Sequence, residues 1–115
     1  MNREFPLEVR FYKTETDNEP VRDWLKSLSL EDKKAIGRDI KTVQYNWPIG
    51  MPLVRNLHNG LWEIRTDLED TISRVIITIL DKKIILLHGF IKKTEKTPKD
   101  DLELATKRMK QLKRR

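Results

Sequence analysis

Residues 61–93 read LWEIRTDLEDTISRVIITILDKKIILLHGFIKK. The first six alternate, with Trp62 and Ile64 on one face and Glu63 and Arg65 on the other, the period of a strand. Leu68-Glu-Asp-Thr71 is a turn, and Ser73–Leu80 is a strongly β-branched run of strand length. Asp81-Lys82-Lys83 is a second tight turn, and Ile84–Lys93 reads as a further strand. Three strands joined by such short turns make an antiparallel meander.

Working outward, Leu7, Val9 and Phe11 alternate with Glu8, Arg10 and Tyr12, a half-buried strand. After a polar break, Pro20 occupies the first turn of a helix whose apolar stripe is Val21, Trp24, Leu25 and Leu28. Ser29 with Asp32 forms a capping-box pattern that opens a second helix, with Ile36, Ile40, Val43 and Trp47 as its stripe and Pro48 as its end. So short a join makes the two an antiparallel hairpin. Beyond the meander, Thr97-Pro98-Lys99-Asp100 is another cap signature, and the last helix carries Leu102, Ala105, Met109 and Leu112 on one stripe. The expected class is α+β: an antiparallel sheet with order β-α-α-β-β-β-α and the helical hairpin packed on one sheet face.

At 115 residues the chain is expected to form one domain, residues 1–115, with a single modest core. No apolar run approaches the ~20 residues of a membrane helix, and Met1-Asn-Arg-Glu-Phe5 opens no signal-peptide segment, so the expected compartment is the cytoplasm. The absence of cysteine excludes disulfide scaffolds, zinc ribbons, iron–sulfur clusters and cysteine nucleophiles. The net charge of +6 is unevenly spread. Residues 82–115 hold twelve Lys/Arg against four Asp/Glu, while residues 1–81 hold twelve against fourteen. Such asymmetry suggests a polyanionic partner, nucleic acid or an acidic protein; a solubilising tail is the alternative.

If the helices dock on one sheet face, chemistry belongs on the other. Strand parity assigns Glu63, Arg65, Arg74, His88, Phe90 and Lys92 to that open face, with Ile85, Leu87 and Ile91 on the core side. A bulge at Gly89 would exchange Lys92 for Lys93. A scatter of surface charges is the competing account of the same residues. What favours a site is that Arg65 and Arg74 would neighbour each other across the first hairpin, which costs energy unless a carboxylate or a phosphate reconciles them. Other chemistry is poorly supported. His58 and His88 lack metal-ligand spacing, no carboxylate cluster suits magnesium, and no glycine-rich phosphate loop exists. His58 falls in the loop Asn56-Leu-His-Asn-Gly60, and Trp24 and Trp47 read as core or edge residues. What is left is a cationic site without metal or other cofactor.

Gly60-Leu-Trp-Glu-Ile-Arg65, Arg74-Val75, Leu87-His-Gly-Phe-Ile-Lys-Lys-Thr94, Lys96-Thr-Pro98, and the helix with Glu103, Ala105 and Arg108 together resemble the HigB-type toxins of the RelE/ParE superfamily. Many of those toxins are described as phage-derived proteins. The likeness is strongest over residues 53–112 and departs from the family at Asp81-Lys82-Lys83, where relatives often carry glycine. It implies the small α+β toxin fold and a type II toxin–antitoxin system. It further implies a ribosome-dependent endoribonuclease, an mRNA interferase, neutralised by a helix-turn-helix (HigA-like) antitoxin, the free toxin being monomeric. The same superfamily contains gyrase inhibitors, so a toxin that blocks a protein target, or a plain basic RNA- or ribosome-binding module, is the alternative.

The implied reaction is attack of a ribose 2′-OH on its own 3′-phosphate. It needs a base, stabilisation of charge on phosphorus, and an acid for the leaving oxygen. Arg65 and Arg74 suit the second role, since a guanidinium grips two phosphate oxygens and keeps its charge. Lys92 or Lys93 is the candidate base, and His88 or Glu63 would share proton transfer or orient Arg65. Lys96, Lys107, Arg108, Lys110 and Lys113 would contact the RNA backbone or ribosomal RNA as unspecific charge.

Overall fold

Ser29 caps a helix where its sequence pattern places it: its hydroxyl accepts from the Asp32 amide at 3.2 Å. In the computed structural model, which describes residues 6–115, the elements are β1 (Glu8–Phe11), α1 (Pro20–Lys26), α2 (Leu30–Asn46), β2 (Val54–His58), β3 (Leu61–Asp67), β4 (Ile72–Leu80), β5 (Lys83–Lys92) and α3 (Lys99–Lys113). The leader-free reading of residues 1–5 lies outside the described residues.

The α+β class holds, with three differences from the expected order. First, there is an additional strand, β2, where the His58 loop was expected. Its alternation is weak in the sequence because only Val54 and Leu57 are apolar and the register to β3 shifts between Asn56 and His58. The chain then reverses through His58, Asn59 and Gly60, all left-handed with φ of 71°, 56° and 84°. Second, the sheet is mixed, not antiparallel: its order is β1-β5-β4-β3-β2, and β1 pairs parallel to β5. The long excursion through both helices before β2 frees β1 from any hairpin, so it joins the far edge in the orientation that only a crossover permits.

Third, the helices cover both faces. The apolar stripes of α1 and α2 bury Val21, Ile36, Ile40 and Val43 against Ile64, Val75, Ile77, Ile84 and Leu86. There α1 lies over β5 and β1, and α2 over β3. The opposite face carries α3, whose Ala105 and Met109 pack on Leu61, Ile76, Ile85, Leu87 and Phe90. An amphipathic helix must bury its stripe somewhere, and this half of the sheet is apolar enough to receive it. The expected open face therefore does not exist over β4 and β5. Among the described residues, no helix is long and apolar enough to cross a membrane.

The bulge lies two residues earlier than expected. Ile76 faces His88 and Ile77 faces Leu86, so Leu87 is the extra residue of β5 and Gly89 keeps its register opposite Val75. Ile85 and Leu87 consequently belong to the α3 side rather than the helical-hairpin side. Glycine at position 89 serves another purpose. A Cβ there would lie 3.0 Å from Cδ2 of Trp24 and closer still to Cε3 and Cζ3.

Candidate functional site

Arg65 and Arg74 stand directly opposite each other across the β3–β4 hairpin, and Arg55 of β2 stands opposite Glu63. Alternation thus places Arg55, Glu63, Arg65 and Arg74 together on the α3 side of the sheet, beyond the reach of α3 itself. The sequence reading put Glu63, Arg65 and Arg74 on a face open to solvent, but the structure buries them. Glu63 and Arg74 are fully buried and Arg65 is 9% exposed. What covers them is the segment between β5 and α3.

That segment answers the question posed by two neighbouring cations. Glu95 Oε2 lies 3.1 Å from Arg65 Nη2 and 4.0 Å from Arg55 Nη2, and the Glu95 carbonyl accepts from Arg55 Nη1 at 2.8 Å. The Lys96 carbonyl accepts from Arg74 Nη1 at 3.1 Å. The Thr97 hydroxyl donates to Glu63 Oε2 at 2.8 Å, so it does not cap α3; the N-cap position is Pro98, which has no side-chain donor or acceptor. Several charged atoms are left over. Among the described residues, Arg65 Nη1, Arg74 Nε and Nη2, and Glu63 Oε1 are buried without a hydrogen-bond partner. Such atoms are costly, about 1–3 kcal/mol each or more when charged. Burial lowers the pKa of Arg74, and the Glu63 carboxylate opposes that shift. A guanidinium so placed keeps its proton and its demand for an anion.

A second group gathers at the end of β5. His88 Nε2 is 2.6 Å from Asp101 Oδ1, Lys92 Nζ is 3.2 Å from Asp101 Oδ2, and the His88 ring stacks on Phe90 with centroids 5.5 Å apart. Lys92 and Arg74 both flank the Phe90 ring, at 5.9 and 6.0 Å from its centroid. Lys92, not Lys93, therefore shares the site's face; Lys93 follows the last residue of β5 and is exposed.

The basic residues of the C-terminal third separate into two kinds. Lys96, Lys107, Lys110 and Lys113 present exposed side chains. Arg108 does not serve as free charge. It donates to the Leu87 carbonyl at 2.7 Å and lies over the Tyr12 ring at 5.5 Å, and burial lowers its pKa. The bulge explains this: Leu87 has no partner on β4, and Arg108 takes its carbonyl. Sequence reasoning missed Arg55, Glu95 and Asp101. The signal for Glu95 was present, since it is the only acid between Lys92 and Lys99. Arg55 and Asp101 carry no such mark; strand pairing and helix docking alone bring them in. Among the described residues, no group of three or more His, Asp and Glu is placed to hold a metal ion.

The arrangement can therefore bind an anion at clustered guanidiniums, with lysines and a carboxylate-held histidine beside it. No curated protein matches the chain. The family model described as "Phage derived protein Gp49-like (DUF891)" matches residues 23–110, which run from within α1 through most of α3 and include Arg55, Glu63, Arg65, Arg74, His88, Lys92, Glu95 and Asp101. The chain belongs to this phage-derived, Gp49-like family.

Proposed function

We propose that the protein is the toxin of a type II toxin–antitoxin system, a HigB-like member of the RelE/ParE superfamily, and that it cleaves translated mRNA on the ribosome without a cofactor. The observation that carries this reading is the opposed pair Arg65 and Arg74, whose buried donor atoms exceed the acceptors around them. An excess of guanidinium N–H groups is what a phosphodiester acquiring a second negative charge requires. The ribose 2′-oxygen attacks phosphorus as its proton passes to a base. The bond from phosphorus to the 5′-oxygen breaks, that oxygen takes up a proton, and a 2′,3′-cyclic phosphate and a 5′-OH remain.

Arg65, at the edge of the cluster, grips the phosphate. Arg74 lies behind it, holds the Lys96 carbonyl and so sets the path of residues 94–97. Lys92 at the end of β5 is the proton-transfer candidate, with His88 fixed by Asp101 beside it. Lys96, Lys107, Lys110 and Lys113 hold the RNA or ribosomal RNA backbone by charge. The partner that silences the toxin is a helix-turn-helix antitoxin, and the working compartment is the cytoplasm.

The test is 5′-end mapping of cellular mRNA after a pulse of expression, with a melting curve for each variant. Arg65→Ala should remain folded and cleave about 100- to 1000-fold more slowly. Wild-type cleavage by folded Arg65→Ala would overturn the assignment. Growth arrest without any cleavage would replace it with a toxin that blocks a protein target such as gyrase.

A further inference from the structure

Glu95 is an exposed acid in a buried setting. Its side chain is 79% accessible, yet its carboxylate sits against Arg65, whose side chain is only 7% accessible, and faces Arg55. A carboxylate between two guanidiniums matches the non-bridging oxygens of a phosphate in charge and in spacing, which is why arginine forks accept either. Two further observations point to a ligand. Arg65 Nη1 is buried without a partner among the described residues, so Glu95 satisfies only part of the fork. A cleft of about 370 Å³ opens beside Arg65 and Glu95, walled by Met51, Pro52, Leu53 and Ile72 with Asp39 and Asp67 also on its lining, a size within the ~300–1,000 Å³ of small-ligand sites.

We propose that Arg55 and Arg65 form a phosphate-binding fork that the chain's own Glu95 fills when no ligand is bound, and that a phosphodiester of single-stranded RNA displaces it. This rests on the ribonuclease reading for the identity of the ligand, but the fork itself is tested by binding. An ion pair with an exposed acid is weak and easily exchanged. Glu95 meets the two guanidiniums through Oε2 alone, whereas a phosphodiester with both non-bridging oxygens turned to the fork also reaches the unpaired Arg65 donor. Displacement also frees the Glu95 side chain without disturbing Arg74, which is held through the Lys96 backbone. Arg55 is thereby a binding residue of the site, although its side chain stands on β2, outside the β3–β4 hairpin.

The experiment uses the full chain and a single-stranded RNA oligonucleotide 2′-O-methylated throughout, which binds but cannot be cut. Affinity is read by fluorescence anisotropy at fixed salt, with inorganic phosphate as competitor. Glu95→Gln should bind about fivefold more tightly than wild type, the ratio expected from removing one exposed ion-pair competitor. Phosphate should compete more effectively against that variant. Arg55→Ala in the Glu95→Gln background should abolish the gain. Glu31→Gln, the same charge change in α2, should leave affinity at the wild-type value. Equal affinities for wild type and Glu95→Gln, or an equal gain from Glu31→Gln, would overturn the proposal. A tighter Glu95→Gln that cuts no unmodified mRNA, like wild type, would keep the fork and remove the ribonuclease reading. Cleavage by wild type with Glu95→Gln unchanged in affinity would do the reverse.

Discussion

Gly89→Ala should be among the most damaging small substitutions in this chain. The new methyl carbon would lie 3.0 Å from Cδ2 of Trp24 and nearer to two other ring carbons, whereas carbon atoms rest at ~3.5–4.0 Å. The indole must therefore retreat by about 1 Å or more. It cannot bend as an aliphatic chain would, and it sits on α1, a seven-residue helix that docks on β5 and β1. Overpacking of this kind costs about 1–3 kcal/mol, and a rigid ring as the obstacle puts the expected value near 2–3. For a chain of this length that lowers the melting temperature by about 6–15 °C. The measurement is chemical and thermal denaturation of Gly89→Ala, Trp24→Ala and the double variant. With the ring gone, alanine at 89 should cost nothing or stabilise by about 0.5 kcal/mol, since glycine is a poor strand residue. The coupling energy between the two positions should then be about 2 kcal/mol or more. A Gly89→Ala cost below 0.5 kcal/mol, or one that persists unchanged in the Trp24→Ala background, would refute the reasoning.

Arg74→Ala should destabilise the fold by about 3 kcal/mol, because it strips a buried cation from Glu63 and from the Lys96 carbonyl; a melting temperature like wild type would show that the charge is not buried. Trp62→Ala should cost about 3 kcal/mol through lost packing on the α2 side and on Trp47, whose ring meets it edge-on at 5.0 Å, as denaturant titration would show. Lys82→Gly should stabilise by about 0.5–1 kcal/mol, since Lys82 holds a left-handed φ of 61° in the β4–β5 turn; a loss of stability would contradict that turn geometry. Lys110→Ala and Lys113→Ala should weaken RNA or ribosome binding gradually, with a shallower salt dependence and no change in melting temperature.

Against the sequence expectation, Arg74 is the instructive case. Parity correctly set it opposite Arg65 and beside Glu63, because the side-chain period of a strand is a local property that two short turns carry from β3 to β4. Exposure is not local. Whether that face meets water depends on α3 and on residues 94–97, which return from far along the chain. An open-face arginine would have been nearly neutral to remove; a buried one is not. The pair Lys92 and Lys93 shows the same division. Gly89 was the visible candidate for a bulge, yet the extra residue is Leu87, whose carbonyl is taken by Arg108 of α3.

The meander, the Ser29 cap, the proline that opens α1 and the stripe of α3 were all legible, since each is set by periodicity or by hydrogen bonding within a few residues. The parallel pairing of β1 with β5, the edge strand β2 and the placing of α3 on the second face were not, because each is a choice between surfaces that only docking can make. So it is with the site. The arginines announced themselves by pattern, but Glu95 and Asp101, the carboxylates that hold Arg65, His88 and Lys92, arrive through contacts across 30, 13 and 9 residues of chain, where sequence spacing carries no geometric information.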